Sequence, residues 1–436
     1  MIINIITLGC SKNLVDSEYL LRQFRTNGHT VYHDAAEIEA DAVILNTCGF
    51  ILDAKQESIE NILYYTDLKK AGRVGKVFVM GCLSERYREE LEREIPEVDG
   101  FFGVWDHKEI TEALDSRYYP ELSNDRYITT PSHYAFLKIS EGCNRRCSFC
   151  AIPGIRGNQR SKSADDLVEE ALNLAGRGVK ELILIAQDLT GYGTDIYGEN
   201  RLAFLLASLL EVEGIEWIRL HYAYPTGFPE EVIRLMANES RICNYIDIPI
   251  QHISDRILSS MRRGHDRRHL ETLLNRFRKE NPGIAVRSTV MVGYPGETAQ
   301  EFQELLEFVR AFRFDRLGVF PYSHEEDTPA GRELKDDVPM SVKQQRAEQL
   351  MDVQQAISLE LNEHKIGKTF TVLIDREEDD FFIGRTEHDS PDVDNEVLVS
   401  KAPGIGVGEF CSVRITSAAE FDLFGEPTRE STPAGC

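Results

Sequence analysis

EGCNRRCSFC, residues 141–150, sets three cysteines, Cys143, Cys147 and Cys150, within eight positions. The run follows directly on an apolar stretch, Tyr134–Ile139, that reads as a strand. Three thiolates this close can wrap one face of an iron–sulfur cube and leave a fourth iron open. Zinc would ask for a fourth nearby ligand, and roughly the next 40 residues offer only Gln159 and weakly suited carboxylates. The bland alternative is three unrelated buried cysteines, since free cysteine is among the most buried residue types.

Downstream of this run a strand–helix rhythm repeats about six times. Strands are expected at Tyr134–Ile139, Glu181–Ala186, Trp217–Tyr222, Tyr245–Ile250, Ala285–Val292 and Arg316–Phe320. Helical periodicity fills the gaps at Ala164–Arg177, Leu202–Val212, Glu230–Met236, Arg267–Lys279 and Glu301–Ala311. Repeated βα units close into a full or partial barrel whose chemistry gathers at the C-terminal ends of its strands. A long helix, Ser341–His364, leads outward and stops at Gly367.

Upstream, the apolar runs Ile2–Leu8, Ala42–Leu45 and Lys76–Met80 alternate with helical sequence, including a helix near Ser17–Asn27, which implies a parallel sheet. Each run ends in a cysteine beside a glycine: ITLGCS with Cys10, LNTCGF with Cys48 and VMGCLS with Cys82. In an open α/β sheet the strand ends lie along one edge, where ligands bind. Three thiols can therefore converge there, flanked by Gly9, Gly49 and Gly81, which allow close backbone approach; three separately buried structural cysteines are the plain alternative.

The CxxxCxxC run, with Phe149 before its last cysteine, resembles the signature of radical S-adenosylmethionine (SAM) enzymes. In that family the open iron chelates SAM, and one electron cleaves it to methionine and a 5′-deoxyadenosyl radical. Both cysteine sets together, with TLGCSKNLVDSE, LNTCGF, DIPIQHISDRILSSMRRGH and VMVGYPGET, resemble the methylthiotransferase family over nearly the whole chain. The resemblance implies two [4Fe–4S] clusters, one on Cys143, Cys147 and Cys150 and one on Cys10, Cys48 and Cys82. It also implies two SAM molecules and a methylthio group placed on carbon. The fold it implies is α/β: an N-terminal parallel cluster-binding domain (1–126), a radical SAM partial (β/α)6 barrel with linker helix (130–365), and a small C-terminal antiparallel β-barrel, the TRAM domain (366–432). Expected cofactor contacts are Phe149, Gln187, Gly293 and Glu297, with GYPGE as the stretch resembling an adenosine contact. A simple turn and hydrogen-bonded scaffolding are the plain alternatives for these positions. No residue is expected to act as an ordinary acid or base.

The remaining cysteines and the histidines are quieter. Cys243 and Cys411 read as structural, and Cys436 has no matching context. The eleven histidines form no spaced ligand set, although His221, His252 and His265 lie near strand ends. The basic cluster MRRGHDRRH, residues 261–269, reads as a solvated helix face, with phosphate or SAM binding as the alternatives.

Charge bears on the substrate. The chain has 436 residues, 49 basic against 73 acidic, and a net charge of −24. Such a chain is a poor general nucleic-acid binder, because that affinity comes from Lys and Arg displacing counterions. From Lys368 onward, 15 acidic and six basic side chains accompany short strands at Phe370–Ile374, Phe381–Arg385, Glu396–Val399 and Phe410–Ile415. One acidic block is Asp375, Glu377, Glu378, Asp379 and Asp380; another is Asp389, Asp392, Asp394 and Glu396. Such a face would repel phosphate and attract a lysine-rich protein. GRTEHDSPDVDNEV and EFDLFGE resemble the branch that methylthiolates the β-carbon of an aspartate in small-subunit ribosomal protein uS12.

The expected substrate contacts are Asp188, Gln251, Glu377, Asp379 and Asp392, and the expected partners are uS12 and a one-electron reductant such as flavodoxin or ferredoxin. The other readings are a tRNA-adenosine methylthiotransferase, a non-catalytic iron–sulfur electron carrier and a zinc-stabilised ribosome-binding module. No apolar run reaches about 18 residues, so no membrane span is expected. Nine cysteines and no export signal point to a reducing cytoplasm. The tail ESTPAGC reads as frayed.

Overall fold

The computed structural model describes residues 1–36 and 38–428. The ESTPAGC tail, Cys436 and the expected last residues of the C-terminal barrel lie outside them.

The first sheet has five parallel strands in the order Thr30–His33, Ile2–Thr7, Ala40–Thr47, Val74–Gly81 and Gly100–Phe101. The chain moves one way from Ile2–Thr7 to Thr30–His33 and then back across it to Ala40–Thr47. The edge beyond Thr7 and Thr47 is therefore a topological switch point, where open α/β sheets bind ligands. The first helix spans Ser11–Thr26 and not the expected Ser17–Asn27. Its opening turns carry Lys12, Asn13, Asp16, Ser17 and Glu18, all buried. Burial of polar side chains leaves no apolar stripe to mark the start of a helix.

The second sheet has six parallel strands in chain order: Tyr134–Lys138, Glu181–Ile185, Trp217–Leu220, Ile242–Asp247, Ala285–Val292 and Arg316–Pro321. The fourth begins three residues earlier than expected, because buried Ile242 and Cys243 belong to it. One face of this sheet packs against its crossover helices through a single apolar core. The other face receives two visitors. Leu14, Val15 and Tyr19 of the Ser11–Thr26 helix pack on Tyr134, Phe136, Ile183 and Ile185. Leu373 and Phe410 of the C-terminal barrel pack on Trp217, Cys243, Tyr245 and Ala285.

That barrel is closed and five-stranded: Thr369–Glu377, Phe381–Thr386, Glu396–Ser400, Asp422–Pro427 and Phe410–Ala418. It is not purely antiparallel, since Glu396–Ser400 and Asp422–Pro427 run parallel. An odd number of strands in a closed ring cannot alternate direction throughout, so one pair must be parallel. Cys411 lies half-buried beside its core.

The barrel also corrects the reading of its charge. Asp375 accepts from Arg385 Nε at 2.6 Å and contacts His133. Asp389 pairs with Arg316, and Asp394 accepts from the Tyr245 hydroxyl at 2.7 Å and from Arg287 at 3.2 Å. Glu181, wholly buried, sits between Arg219 and Arg385. Asp375, Asp389 and Asp394 therefore fasten the barrel to the six-stranded sheet and present no charge to a partner. The segment 384–397 plugs the sheet's open face, with Ser390 2.7 Å from His221 Nε2. Glu377, Glu378, Asp379, Asp380 and Asp392 remain exposed.

Candidate functional site

Cys10, Cys48 and Cys82 follow the three central strands of the first sheet. Gly9 has φ +93°, and a Cβ there would stand 2.6 Å from Cys48 Cβ and 3.0 Å from its Sγ. Only glycine lets these strand ends close up. Asn13 ties them together: its amide donates to Leu8 O at 2.9 Å and Thr47 O at 3.1 Å. Its Oδ1 lies 3.9 Å from Cys82 Sγ. Burial pushes the Cys48 thiol up to about 11, and the neighbouring Cys10 and Cys82 sulfurs add to that.

Cys143, Cys147 and Cys150 lie in the loop after the first strand of the second sheet. Arg145 N–H donates to Cys143 Sγ at 3.4 Å, and Arg263 donates to Cys147 Sγ at 3.3 Å. Burial pushes Cys143 up to about 11 and Cys150 up to about 12, with Cys147 adding to both. Thiols this uncomfortable as free thiolates become stable anions on metal. Guanidinium and amide donors aimed at their sulfurs are what an anionic cluster's ligands require. Among the described residues no three His, Cys, Asp or Glu side chains converge as they would on a single ion. What fits an iron–sulfur cluster is the chemistry of the donors: three thiols in each set, with N–H and guanidinium groups on their sulfurs.

The two triads face each other. Cys82 packs with Ala151 and Ile155, just beyond Cys150. Arg156 donates to Cys82 Sγ at 3.4 Å and to Asn13 Oδ1 at 2.6 Å. A cavity of about 500 Å³ opens beside Cys147 and Cys150, with Glu85 and Arg86 of the first domain also lining it. Beneath it lies a buried ion network. Arg156 meets Asp16 at 3.0 Å and Glu141 at 2.7 Å; Lys138 meets Glu141 at 2.7 Å and also Asp16. Burial alone would raise the Asp16 carboxyl, but Lys138 and Arg156 prevail and hold it near 2.

The other expected contacts divide. Gln187 donates to Glu141 and Gln251 ends its segment at φ +69°, both half-buried near the cysteine loop. Phe149 packs among Ile257, Met261, Tyr294 and Tyr322. Asp188 has both oxygens engaged, by Arg145 Nε at 2.7 Å and by Thr190 N–H at 3.0 Å, which makes it scaffolding for the loop. Gly293, at φ +69°, faces Lys343 so closely that a Cβ would stand 2.2 Å from Cγ. Glu297 turns away from the cavity: its fully buried carboxylate accepts from the Gly293 and Tyr294 N–H groups and lies 3.0 Å from Arg346. Burial pushes it up to about 7, against the pull of Arg346. It shapes the GYPGE turn and does not reach out to a ligand. Glu377, Asp379 and Asp392 are on the C-terminal barrel, packed against the opposite, N-terminal part of the sheet.

Sequence reasoning missed Lys12, Asn13, Asp16, Arg156 and Arg263. The signal for the first three was the polar first turn of TLGCSKNLVDSE, and for Arg263 the MRRGHDRRH cluster. That cluster is not simply a solvated face: Arg263 is buried, donating to Cys147 Sγ and to Pro249 O at 2.6 Å.

The pattern of the radical SAM superfamily matches residues 137–309, that of the uncharacterized protein family UPF0004 residues 2–103, and that of the TRAM domain residues 366–427. The chain is 57% identical over 427 residues to the ribosomal protein uS12 methylthiotransferase RimO of Flavobacterium johnsoniae, covering 98% of each. It is 53% identical over 424 residues to the protein of the same name from Porphyromonas gingivalis, covering 97% of this chain and 98% of that one. Among solved structures it resembles the radical SAM methyltransferase TsrM of Kitasatospora setae, with TM-score 0.54 and 15% identity over 76% of this chain and 77% of that one. It also resembles the cobalamin-dependent SAM radical enzyme OxsB, with TM-score 0.52 and 12% identity over 82% of this chain and 56% of that one. These two likenesses establish fold alone.

Proposed function

The chain belongs to the ribosomal protein uS12 methylthiotransferase family, a radical SAM family using [4Fe–4S] clusters and SAM, and on that premise we propose how its residues divide the work and that its target is the β-carbon of a uS12 aspartate. The observation that carries the assignment is that two cysteine triads stand at the strand ends of two parallel sheets and are joined through Cys82, which packs on Ala151 and Ile155 and accepts from Arg156. We assign one cluster to Cys143, Cys147 and Cys150 and a second to Cys10, Cys48 and Cys82. When bound, the clusters supply the electron that cleaves SAM and the sulfur that is transferred.

The protein's own part is positioning. Arg263 and the Arg145 amide steady the sulfurs of the first triad; Arg156 and Asn13 hold Cys82 and lock the two sheets at a fixed separation. Phe149 and Gln187 stand on the cofactor side of the Cys143–Cys150 loop, and the Gly293–Glu297 turn behind them is held by Glu297 and by the close packing of Gly293 on Lys343. Gln251 stands on the substrate side, while exposed Glu377, Asp379 and Asp392 offer charge to a basic ribosomal protein. Residues 1–126, 130–365 and 366–432 then act as sulfur-donor domain, radical domain and TRAM domain. SAM cleavage consumes one electron, which calls for a one-electron donor such as flavodoxin or ferredoxin. No helix among the described residues is long and apolar enough to cross a membrane, and a ribosomal substrate suits the cytoplasm.

Two substitutions test the division. Cys147→Ala should abolish reductive SAM cleavage. Cys48→Ala should leave that cleavage intact and stop methylthiolation of uS12, read by the mass of the intact ribosomal protein. Product at the wild-type rate from Cys48→Ala would sink the second-cluster assignment.

A further inference from the structure

Lys12 stands two residues beyond Cys10, in the buried first turn of the Ser11–Thr26 helix, and is only 7% exposed. Its Nζ lies 2.9 Å from the centroid of the Tyr222 ring, at the C-terminal end of the third strand of the six-stranded sheet. Among the described residues no carboxylate or carbonyl oxygen bonds to it. The contrast with its neighbours is sharp: Lys138 and Arg156 each meet two carboxylates. Asp247, which accepts from the Tyr222 N–H at 3.1 Å, is committed to Arg287 at 3.2 Å. The Lys12 stem is buried, and its ammonium end rests on an aromatic face whose cation–π attraction is worth about 0.5–2 kcal/mol, with no acid among the described residues to neutralise it. An ammonium held in place by an aromatic ring and left without an acid is set to meet an arriving anion.

We propose that Lys12 holds a substrate carboxylate, that of the uS12 aspartate, between Cys10 and Tyr222. The proposal rests on the function argued above. The carboxylate carbon of an aspartate is bonded directly to the β-carbon. If that carbon receives sulfur at the Cys10, Cys48 and Cys82 edge, its carboxylate must arrive within a bond or two of the same edge. Lys12 is the cation placed there. The contact would also set specificity, because an asparagine amide brings no charge to the unpaired ammonium.

The test uses full-length enzyme with both clusters reconstituted, as wild type, Lys12→Met and Lys12→Arg. Three quantities are read: iron and sulfide content, SAM affinity with uncoupled SAM cleavage, and methylthiolation of uS12 against uS12 carrying asparagine at the target position. The expected result for Lys12→Met is unchanged iron, unchanged SAM affinity and cleavage, a KM for uS12 raised at least about tenfold, and loss of the preference for aspartate over asparagine. Lys12→Arg should recover part of both. An unchanged KM with the preference intact overturns the proposal. So does a loss of SAM affinity, which would give Lys12 to SAM's own carboxylate, and so does a loss of iron, which would make it a support of the cluster. If wild-type enzyme leaves uS12 unmodified, the underlying function fails, whatever Lys12 does.

Discussion

At the scale of single residues, the glycines beside the cysteines carry as much of the site as the thiols. Gly9→Ala would force a side chain onto a backbone at φ +93°, with its Cβ 2.6 Å from Cys48 Cβ. Holding a non-glycine residue in such a conformation costs about 1–3 kcal/mol, and the contact would push Cys10 and Cys48 apart. Gly9→Ala should therefore bind less iron, approaching the content of a Cys10→Ala variant, while SAM cleavage at the other triad survives. Full iron content in Gly9→Ala would show that the strand ends can spread without cost. The strand-end placement of the six cysteines was legible in sequence because each follows an apolar run in a short, recognisable pattern. Arg156 and Arg263 were not, since an arginine that bonds a thiol sulfur looks like any solvated arginine until the fold turns it inward.

At the scale of elements, the Ser11–Thr26 helix joins the two sheets. Its Asp16 shares Arg156 and Lys138 with Glu141 in a setting nearly closed to water. Removing one partner of a buried ionic group leaves the others unpaired, at a cost of about 3–5 kcal/mol. Arg156→Met should lower the thermal midpoint by several degrees and loosen the first sheet from the second, read as faster amide exchange in residues 11–26. The pH dependence follows from the sign of the shift. The Asp16 carboxyl sits near 2 in the folded chain against an ordinary 3.8, so the folded state binds the proton less tightly. Its contribution, about 2 kcal/mol, is complete above pH 4 and drains away as pH falls toward 2. Acid unfolding of Asp16→Asn should lose that part of the slope, and an unaltered slope would remove Asp16 from the account. The same polar turn explains why periodicity placed the helix start six residues late: apolar stripes reveal helices that bury carbon, and this one buries charge.

At the scale of the whole molecule, net charge of −24 pointed to a basic partner, but composition does not say which acids face outward. The βα rhythm was readable because apolar runs and their spacing are local, whereas the packing of the C-terminal barrel on the open face of the six-stranded sheet depends on contacts between residues far apart in the chain, from Arg316–Asp389 to Trp217–Phe410. That docking divides the acidic module into two populations with different expected behaviour. Asp389 is buried against Arg316 and hydrogen-bonded by Thr386; Asp389→Ala should destabilise the fold with little dependence on salt, because buried pairs are screened weakly. Glu377, Glu378, Asp379 and Asp380 are exposed around a turn, and single charges there affect stability by less than about 1 kcal/mol. Reversing all four to lysine should leave the thermal midpoint nearly unchanged and weaken binding to uS12. The loss should be largest at low ionic strength and should fade as salt screens the attraction. Titrating uS12 into both variants at two salt concentrations separates the cases. Equal affinity for the wild type and the four-lysine variant at low salt would mean that the ribosomal protein is recognised elsewhere and that the exposed acids serve only solubility.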